Sequence, residues 1–167
     1  RAVQMAKLAP EDKFAGLAPR ELLAKQFPAL DLEDATEPSA DTLVARARDA
    51  EAAAMAVKGV TNSEGGGASF SRSAVHLATS DGFFGRYAGT SHSIGVAVLA
   101  GDGVNMQMDH DSASARHGGD LDSSAEIGKR AGERAVAKLN PRKVQSQAVP
   151  IVYDPRVSAG LVGHLAG

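Results

Sequence analysis

The chain has 167 residues, of which 43% are hydrophobic and 23% are charged, and its net charge is −2 at pH 7. These values fit one globular domain of ordinary size or a domain plus an arm, and the net charge gives no electrostatic footprint for nucleic-acid binding. The chain contains no cysteine, which excludes disulfides and thiolate chemistry, and no apolar run reaches the roughly 20 residues of a membrane span.

The first 38 residues predict a helical arm followed by a connector. Residues 1–8 have a helical pattern that ends at Ala9-Pro10. A second, short helix is predicted over 19–26, because proline is favoured at the first helical position. Residues 27–38 contain two prolines and several acids, which predict a surface connector.

A longer helix is predicted to begin after Ser39, which is a favourable N-cap. Asp41 lies in the first turn, where the helix dipole favours an anion. Small and aliphatic residues then recur every three or four positions along one face of the helix. They are Leu43, Ala47, Ala50, Ala54 and Val57. Gly59 is placed for a left-handed C-cap.

Between Val60 and Asp109 the apolar period changes from helical to two, which predicts β-strands. The alternation runs through residues 75–79, 94–100 and 104–108. Glycine-containing turns are predicted at 80–82 and 101–103. From the usual lengths of strands and loops we expect an antiparallel meander of about four strands.

The last third of the chain predicts two helices separated by a strand. Ser123 and Glu126 have the spacing of a capping box, and an apolar residue at every fourth position then indicates a helix that Asn140-Pro141 ends. Residues 148–153 predict a short edge strand, because Pro150 cannot donate to a sheet ladder. Asp154-Pro155 marks the start of a final helix.

Helices packed on an antiparallel sheet predict an α+β fold. The expected organisation is a helical arm and connector at 1–38, a central helix, β-meander and helix at 39–143, and the start of a further domain at 144–167. Because the chain begins in what resembles the tail of a helix and stops inside another, we expect it to be a piece of a longer protein.

Gly65, Gly66 and Gly67 are a first candidate for chemistry, as a phosphate-binding loop. The lysine and hydroxyl residue that such a loop needs after its glycines are absent, since Ala68-Ser69 follows. A flexible hairpin tip, where glycine permits a positive φ, is the favoured interpretation.

Asp109, His110 and His117, with Asp111 between them, form a second candidate, a metal cluster. Carboxylates and imidazoles suit zinc or a harder cation. The alternative is a polar loop that the aspartates order through Asx turns.

Thr90 to Ser93 form a third candidate, because a serine lies beside a histidine. Adjacent residues of a strand point to opposite faces, so Ser91 and His92 would not meet as nucleophile and base. A polar strand exposed to solvent or to a peptide is the favoured interpretation.

One set of segments is specific only in combination: residues 53–67, 71–73, 87–93, 114–117, 139–143 and 149–155. Together these segments resemble the PmbA/TldD family, which is described both as modulators of DNA gyrase and as peptide-maturation proteases. The resemblance covers nearly the whole chain.

The resemblance is closer to the PmbA branch, also called TldE, than to TldD. TldD-like chains carry a zinc-binding H-E-x-x-x-H helix after the strand that corresponds to residues 149–153. In this chain the equivalent of the His-Glu pair falls on Gly163-His164, so no metal ligand is carried over. The resemblance therefore implies no cofactor in this chain and zinc only in a TldD-like partner subunit.

The same resemblance implies a cytoplasmic protein that helps to process or degrade unfolded peptides. Its partners would be a TldD-like subunit or a second copy of itself, without direct nucleic-acid or membrane contact. A sheet edge could hold an extended peptide by strand addition. The candidate peptide-binding residues are Glu64, Gly65, Gly66, Thr90, Ser91 and His92.

Two alternatives stay open at this point. One is a non-catalytic binding or assembly module that regulates another protein, as the gyrase-modulator description suggests. The other is an independent metal-dependent hydrolase that uses Asp109, His110 and His117.

Overall fold

The computed structural model describes residues 1–166 and shows a three-stranded antiparallel sheet with two helices packed on one face. The helices are α1 (Ala2–Leu8), α2 (Ala40–Met55), α3 (Ser124–Ala137) and α4 (Pro155–Ala166), and the strands are β1 (Val60–Ala78), β2 (Phe84–Ala100) and β3 (Gln107–Ala115). The sheet order is β1-β2-β3. The predicted α+β class is confirmed. Within 1–166, every helix is too short or too polar to cross a bilayer.

The predicted helix starts are confirmed by their caps. The Ser39 hydroxyl accepts a hydrogen bond from the Thr42 N–H at 3.2 Å. At α3 the Ser123 hydroxyl accepts from the Glu126 N–H, and the Glu126 carboxylate accepts from the Ser123 N–H, both at 3.2 Å. This reciprocal pair satisfies amides that the helix itself leaves without partners, and such caps typically contribute about 1 kcal/mol.

The hydrophobic core lies between the central strand and the two packed helices. Alternate side chains of β2 point towards the helices, and small residues of α2 and α3 meet them. The buried set is Ala50, Ala54, Ile94, Val96, Val98, Ala100, Ile127, Ala131 and Ala135. Complete burial of one aliphatic side chain contributes about 1.5–3 kcal/mol, so a core this small depends on close packing.

Three glycines permit the close approach of helices and sheet. A Cβ atom at Gly128 would lie 2.1 Å from the Ala50 carbonyl oxygen, and one at Gly132 would lie 2.9 Å from that of Ala54. On the sheet, a Cβ atom at Gly66 would lie 2.5 Å from the Ala47 carbonyl oxygen. Side chains at these positions would therefore force the backbones of α2, α3 and β1 apart.

The predicted count of four strands is wrong, because β1 and β2 are 19 and 17 residues long. The glycines and serines of β1 break its apolar period without breaking the strand. Residues 65–67 therefore lie inside β1 rather than at a hairpin tip, and a register shift between Ser63 and Gly65 marks a bulge there. Val104 lies in a short 3₁₀ turn, so β3 begins only at Gln107.

Two predicted elements and two predicted helix ends also differ from the structure. The expected helix at 19–26 is a single 3₁₀ turn at Arg20–Leu22, after which Leu23 is extended. Residues 148–153 form no strand, since no described segment pairs with them. α2 ends at Met55, so Gly59 (φ +103°) lies in the turn to β1 and is not the cap. α3 ends at Ala137, two residues short of Leu139.

We predict that Gly128→Ala lowers the free energy of unfolding by about 3 kcal/mol, because the added methyl group overlaps the α2 backbone. Gly160→Ala is the matched control, since it also replaces a glycine inside a helix but meets nothing within 4 Å. We expect the control to be neutral or slightly stabilising. Urea denaturation of both variants makes the comparison, and equal stabilities would contradict the close approach.

Candidate functional site

The face of the sheet opposite the helices carries a shallow groove of small polar residues. Here we call this surface the open face. It is formed by Gly67 and Ser69 of β1, Ser93 and Gly95 of β2, and Ser112 and Ser114 of β3. The groove has a volume of about 560 Å³, and the Ser69 and Ser93 hydroxyl oxygens lie 2.8 Å apart within it.

The chemistry of the open face suits binding better than bond cleavage. A serine hydroxyl can both donate and accept a hydrogen bond, and glycine lets another backbone approach closely. None of the residues that line the groove has a titratable side chain. General acid–base chemistry needs such a group within hydrogen-bond reach, and the groove lining does not supply one.

The glycine-rich candidates lie on the edge strand β1. Glu64 and Gly65 are exposed at the bulge, and Gly65 has a φ of +112°. Gly66 faces the helices and lies against α2. Within residues 1–166, β1 pairs only with β2, so its outer edge, including Glu64 and Gly65, has no strand beside it.

The candidates on β2 are divided between the two faces. Thr90 and His92 are 0% and 2% exposed on the helix side, whereas Ser91 lies on the other face. The prediction that Ser91 and His92 point apart is therefore confirmed, but the prediction of an exposed polar strand is wrong for Thr90 and His92. The cause is the connector, which crosses this part of β2 and covers both side chains.

The connector is fixed to the sheet by a polar cluster that we call the clasp: Asp31, Asp34, His92, His117 and Gly118. The Asp34 carboxylate accepts hydrogen bonds from the N–H groups of Gly118 and Thr36, each at 2.8 Å. His92 Nε2 lies 3.0 Å from the Asp34 carboxylate, at ion-pair distance but without alignment for a hydrogen bond. His117 Nε2 lies 3.0 Å from the Asp31 carbonyl oxygen.

These contacts shift two pKa values in opposite directions. The Gly118 and Thr36 amides, with smaller contributions from His92 and His117, lower the pKa of Asp34 to about 2. The Asp31 carbonyl and nearby carboxylates raise the pKa of His117 above its ordinary value. Both shifts favour the charged forms, so the clasp is electrostatically complementary.

The alternative metal cluster does not assemble. Asp109 and Asp111 lie in β3, not in the polar loop that the sequence predicts, and both are buried on the helix side. His110 points the other way with 68% of its side chain exposed, and His117 belongs to the clasp. In the part of the chain that the structure describes, no three His, Asp or Glu side chains are grouped so as to bind a metal.

Basic residues of α3 and its C-terminal end neutralise the two buried aspartates. Arg130 Nε donates to Asp111 at 2.6 Å, and Arg134 donates to its other carboxylate oxygen. Lys138 Nζ lies 3.0 Å from the Asp109 carboxylate. Although burial raises the pKa of Asp111, the hydrogen bonds from the two arginines outweigh burial and hold the pKa below its ordinary value.

The second basic contact of Asp109 comes from α4, whose Arg156 Nη1 lies 3.4 Å from the carboxylate. α4 also carries Gly163 and His164, onto which the resemblance places the zinc-binding His-Glu pair of TldD-like chains. Gly163 has no side chain, and His164 is exposed. One imidazole is too few for zinc, which takes at least three protein ligands, so the residues present do not fit this metal.

Sequence reasoning missed the clasp as a unit. Asp34 and Gly118 are far apart in the chain, and nothing in the local sequence links them. The available signal was Asp34 followed two residues later by Thr36, the spacing of an Asx turn, within a connector that we expected to lie free on the surface.

Comparison with known proteins relates this structure to one family. The family model described as the PmbA/TldA metallopeptidase central domain matches residues 33–139. Metalloprotease PmbA of Escherichia coli O157:H7 is 34% identical over 167 residues, which is 99% of this chain and 37% of that protein. The chain therefore spans just over a third of the length of this curated relative.

Two solved structures share the fold. One, from Bacteroides thetaiotaomicron, is of a protein whose name proposes it as a modulator of DNA gyrase. It matches with a TM-score of 0.85 and 24% identity over 98% of this chain and 38% of that one. The other is TldE from Thermococcus kodakarensis, with a TM-score of 0.54 and 23% identity over 82% of this chain and 30% of that one. At these identities the likeness supports the fold alone.

We predict that Asp111→Ala lowers the free energy of unfolding by about 2 kcal/mol, because two arginines lose their shared partner. The expected loss stays below that of a fully buried pair, since both arginines are partly exposed. Asp122→Ala is the matched control, because Asp122 also binds Arg130 but half of its side chain is exposed. We expect the control to lose less than about 1 kcal/mol in chemical denaturation. Similar losses in both variants would rule out a structural role for the buried pair.

The clasp predicts opposite pH dependences for two variants. In the folded protein the pKa of Asp34 is lowered from 3.8 to about 2. The stability that the ionised carboxylate contributes is therefore fully present well above pH 3.8 and is lost as the pH falls towards about 2. In the folded protein the pKa of His117 is raised above 6.5. The stability that the protonated imidazole contributes is therefore fully present below pH 6.5 and is lost as the pH rises through the raised pKa.

The free energies of unfolding of wild type, Asp34→Asn and His117→Gln, measured across pH, provide the check. The deficit of Asp34→Asn should shrink in acid, and that of His117→Gln should shrink towards alkaline pH. A deficit of His117→Gln that grows as the pH rises would show that the clasp does not hold the protonated imidazole.

Proposed function

The chain belongs to the PmbA/TldD metallopeptidase family, and on this premise we propose that it is the peptide-holding region of a non-metal subunit of the PmbA type. In this proposal a TldD-like partner subunit supplies the zinc, and this chain binds and orients an unfolded peptide.

The observation that carries the proposal is the open face. Its serines and glycines form a groove across all three strands, and its lining contains no acid or base. A surface with this composition fits the backbone of an extended chain without selecting particular side chains. Such tolerance is what binding of unfolded peptides requires.

The free edge of β1 offers a second set of contacts to the same peptide. Glu64 and Gly65 are exposed there, and strand addition to an edge satisfies the backbone groups of an extended peptide. In this arrangement one part of the peptide pairs with the β1 edge, and another part crosses the open face. In this proposal the hydrolytic chemistry comes from the partner subunit, and the absence of an acid or base from the lining of the open face supports that assignment.

A second candidate function is suggested by the name of the Bacteroides structure, which proposes gyrase modulation for that protein. In this chain such a role would be a protein–protein contact, since the net charge of −2 provides no electrostatic attraction for DNA.

The test uses the full-length protein with and without its TldD-like subunit, together with an unfolded peptide as substrate. We expect cleavage only when both subunits are present.

We also expect Gly67→Val to weaken peptide binding about tenfold, equivalent to about 1.4 kcal/mol, by filling the groove. Gly67 has open space within 4 Å, so the variant should fold.

Gly16→Val in the N-terminal arm is the control, since it also adds a side chain where nothing lies within 4 Å. Cleavage by the full-length chain alone would contradict the proposal that this chain only binds the peptide and that the partner subunit supplies the zinc. An intact peptide in the presence of both subunits, with a change in gyrase activity, would favour the second candidate instead.

A further inference from the structure

The edge of β2 continues beyond the end of β3. Pairing between the two strands stops at His92 with Ala115, whereas β2 extends back to Phe84. In the extended part, the Thr90 N–H donates to the Leu32 carbonyl oxygen at 2.9 Å. Residues 31–34, which we call the strap, thus take the place of the next strand at this one point.

The rest of this edge has backbone groups without partners. Every second residue of a strand directs its N–H and C=O to the same side, so Ala88 and Arg86 share the orientation of Thr90. Within the described residues, no backbone hydrogen bond joins these two residues to any segment other than β1. The edge of β2 is therefore a template for an extended chain, and the strap covers only its inner end.

An apolar groove of about 850 Å³ lies between the connector and the ends of β1 and β2, on the same face of the sheet as the open face, and it reaches this edge. Its apolar walls include Leu30, Leu32, Val75, Leu77 and Tyr87. The connector already places an extended apolar segment, residues 27–32, in this groove. The Phe27 ring packs edge-to-face against the Phe83 ring, with 6.2 Å between the ring centroids. The groove thus accepts extended apolar chain, and much of its volume remains open.

The strap is held by polar contacts and not by the core. The Asp34 N–H donates to the Thr90 hydroxyl at 2.7 Å, and Arg72 donates to the Asp34 carbonyl oxygen at 3.0 Å. The side chains of Asp31 and Glu33 are exposed. Since no residue of the hydrophobic core belongs to the strap, the strap can lift while the central domain stays folded.

We propose that the strap is a displaceable occupant of a second peptide site, formed by the β2 edge from Phe84 to Thr90 and the apolar groove beside it. The ligand is an extended apolar peptide that pairs with this edge when the strap lifts. This inference rests on the proposed function, and it adds competition between the chain's own connector and the substrate.

An engineered disulfide tests the competition within one protein. A Cβ atom at Gly89 would lie 3.6 Å from Leu32 Cβ, inside the range for a disulfide. It would also lie 3.2 Å from Arg116 Nη1, so that flexible side chain must shift, and Gly89→Cys alone is the control for this change. The 167 residues contain no cysteine, so Leu32→Cys with Gly89→Cys gives one defined pair among them, and any cysteine elsewhere in the full-length protein is replaced by serine. Oxidation locks the strap on the edge, and reduction releases it. Circular dichroism in both states checks that the fold is retained.

The probe is a fluorescent peptide of about eight residues with alternating valine and threonine, matched to the period of a strand. The binding protein is the full-length chain in the Gly67→Val background, which weakens the open face. We expect the reduced protein to bind the probe about tenfold more tightly than the oxidised one. Asp34→Ala, which removes the carboxylate of the clasp, should tighten binding without any disulfide.

Two results would overturn the inference, and they are distinguishable. Equal affinities in the oxidised and reduced states would remove the strap as a competitor and leave the proposed function standing. No probe binding in either state, with or without Gly67→Val, would remove both the strap site and peptide binding by this chain. If the disulfide variant fails to fold, the Asp34→Ala variant provides the test alone. An affinity for the probe peptide that equals that of the parent protein would then contradict competition by the strap.

Discussion

The contact of α3 with α2 through Gly128 and Gly132 fixes the remainder of the structure. At these positions the two helix backbones approach so closely that a methyl group has no space. The helices therefore form one thin layer, whose alanines and Ile127 pack against the aliphatic side chains of β2. A larger side chain in this contact would move both helices off the sheet. The core lies on one face of the sheet, and the other face remains open.

This one-sided packing separates two kinds of polar residue. Asp109 and Asp111 point into the helix layer, where arginine and lysine neutralise them, and their role is structural. The serines of the same strands point to the open face, where they are accessible to a ligand. Alternation along β3 thus distributes aspartates and serines to opposite faces. The residue pattern that suggests a metal site in the sequence arises from a strand with one buried polar side.

The sequence predicted the starts of α2 and α3 well because their caps and apolar faces are local properties. Ser39, Ser123 and the alanine stripe of α2 could be interpreted without knowing the rest of the fold. The strands were harder, because glycines and serines of β1 resemble turns in sequence, yet pairing with β2 keeps them extended. The clasp as a unit could not be predicted, since the Asp34–Thr36 spacing indicates only a local turn and Asp34 meets Gly118 only after the sheet has formed. Of the candidate peptide-binding residues, Glu64, Gly65 and Ser91 are accessible, whereas contacts over long sequence distance bury Thr90 and His92.

The open face is the feature that connects the fold with the proposed function in a PmbA-type metallopeptidase. Amide chemical shifts of the isotopically labelled protein, recorded while an unfolded peptide is added, test this connection most directly. Peptide held on the open face should shift the amides of Gly67, Ser69, Ser93 and Ser112 and leave those of Gly128 and Ala131 unchanged. Shifts confined to the outer surface of α2 and α3, with none at the serines of the sheet, would contradict it.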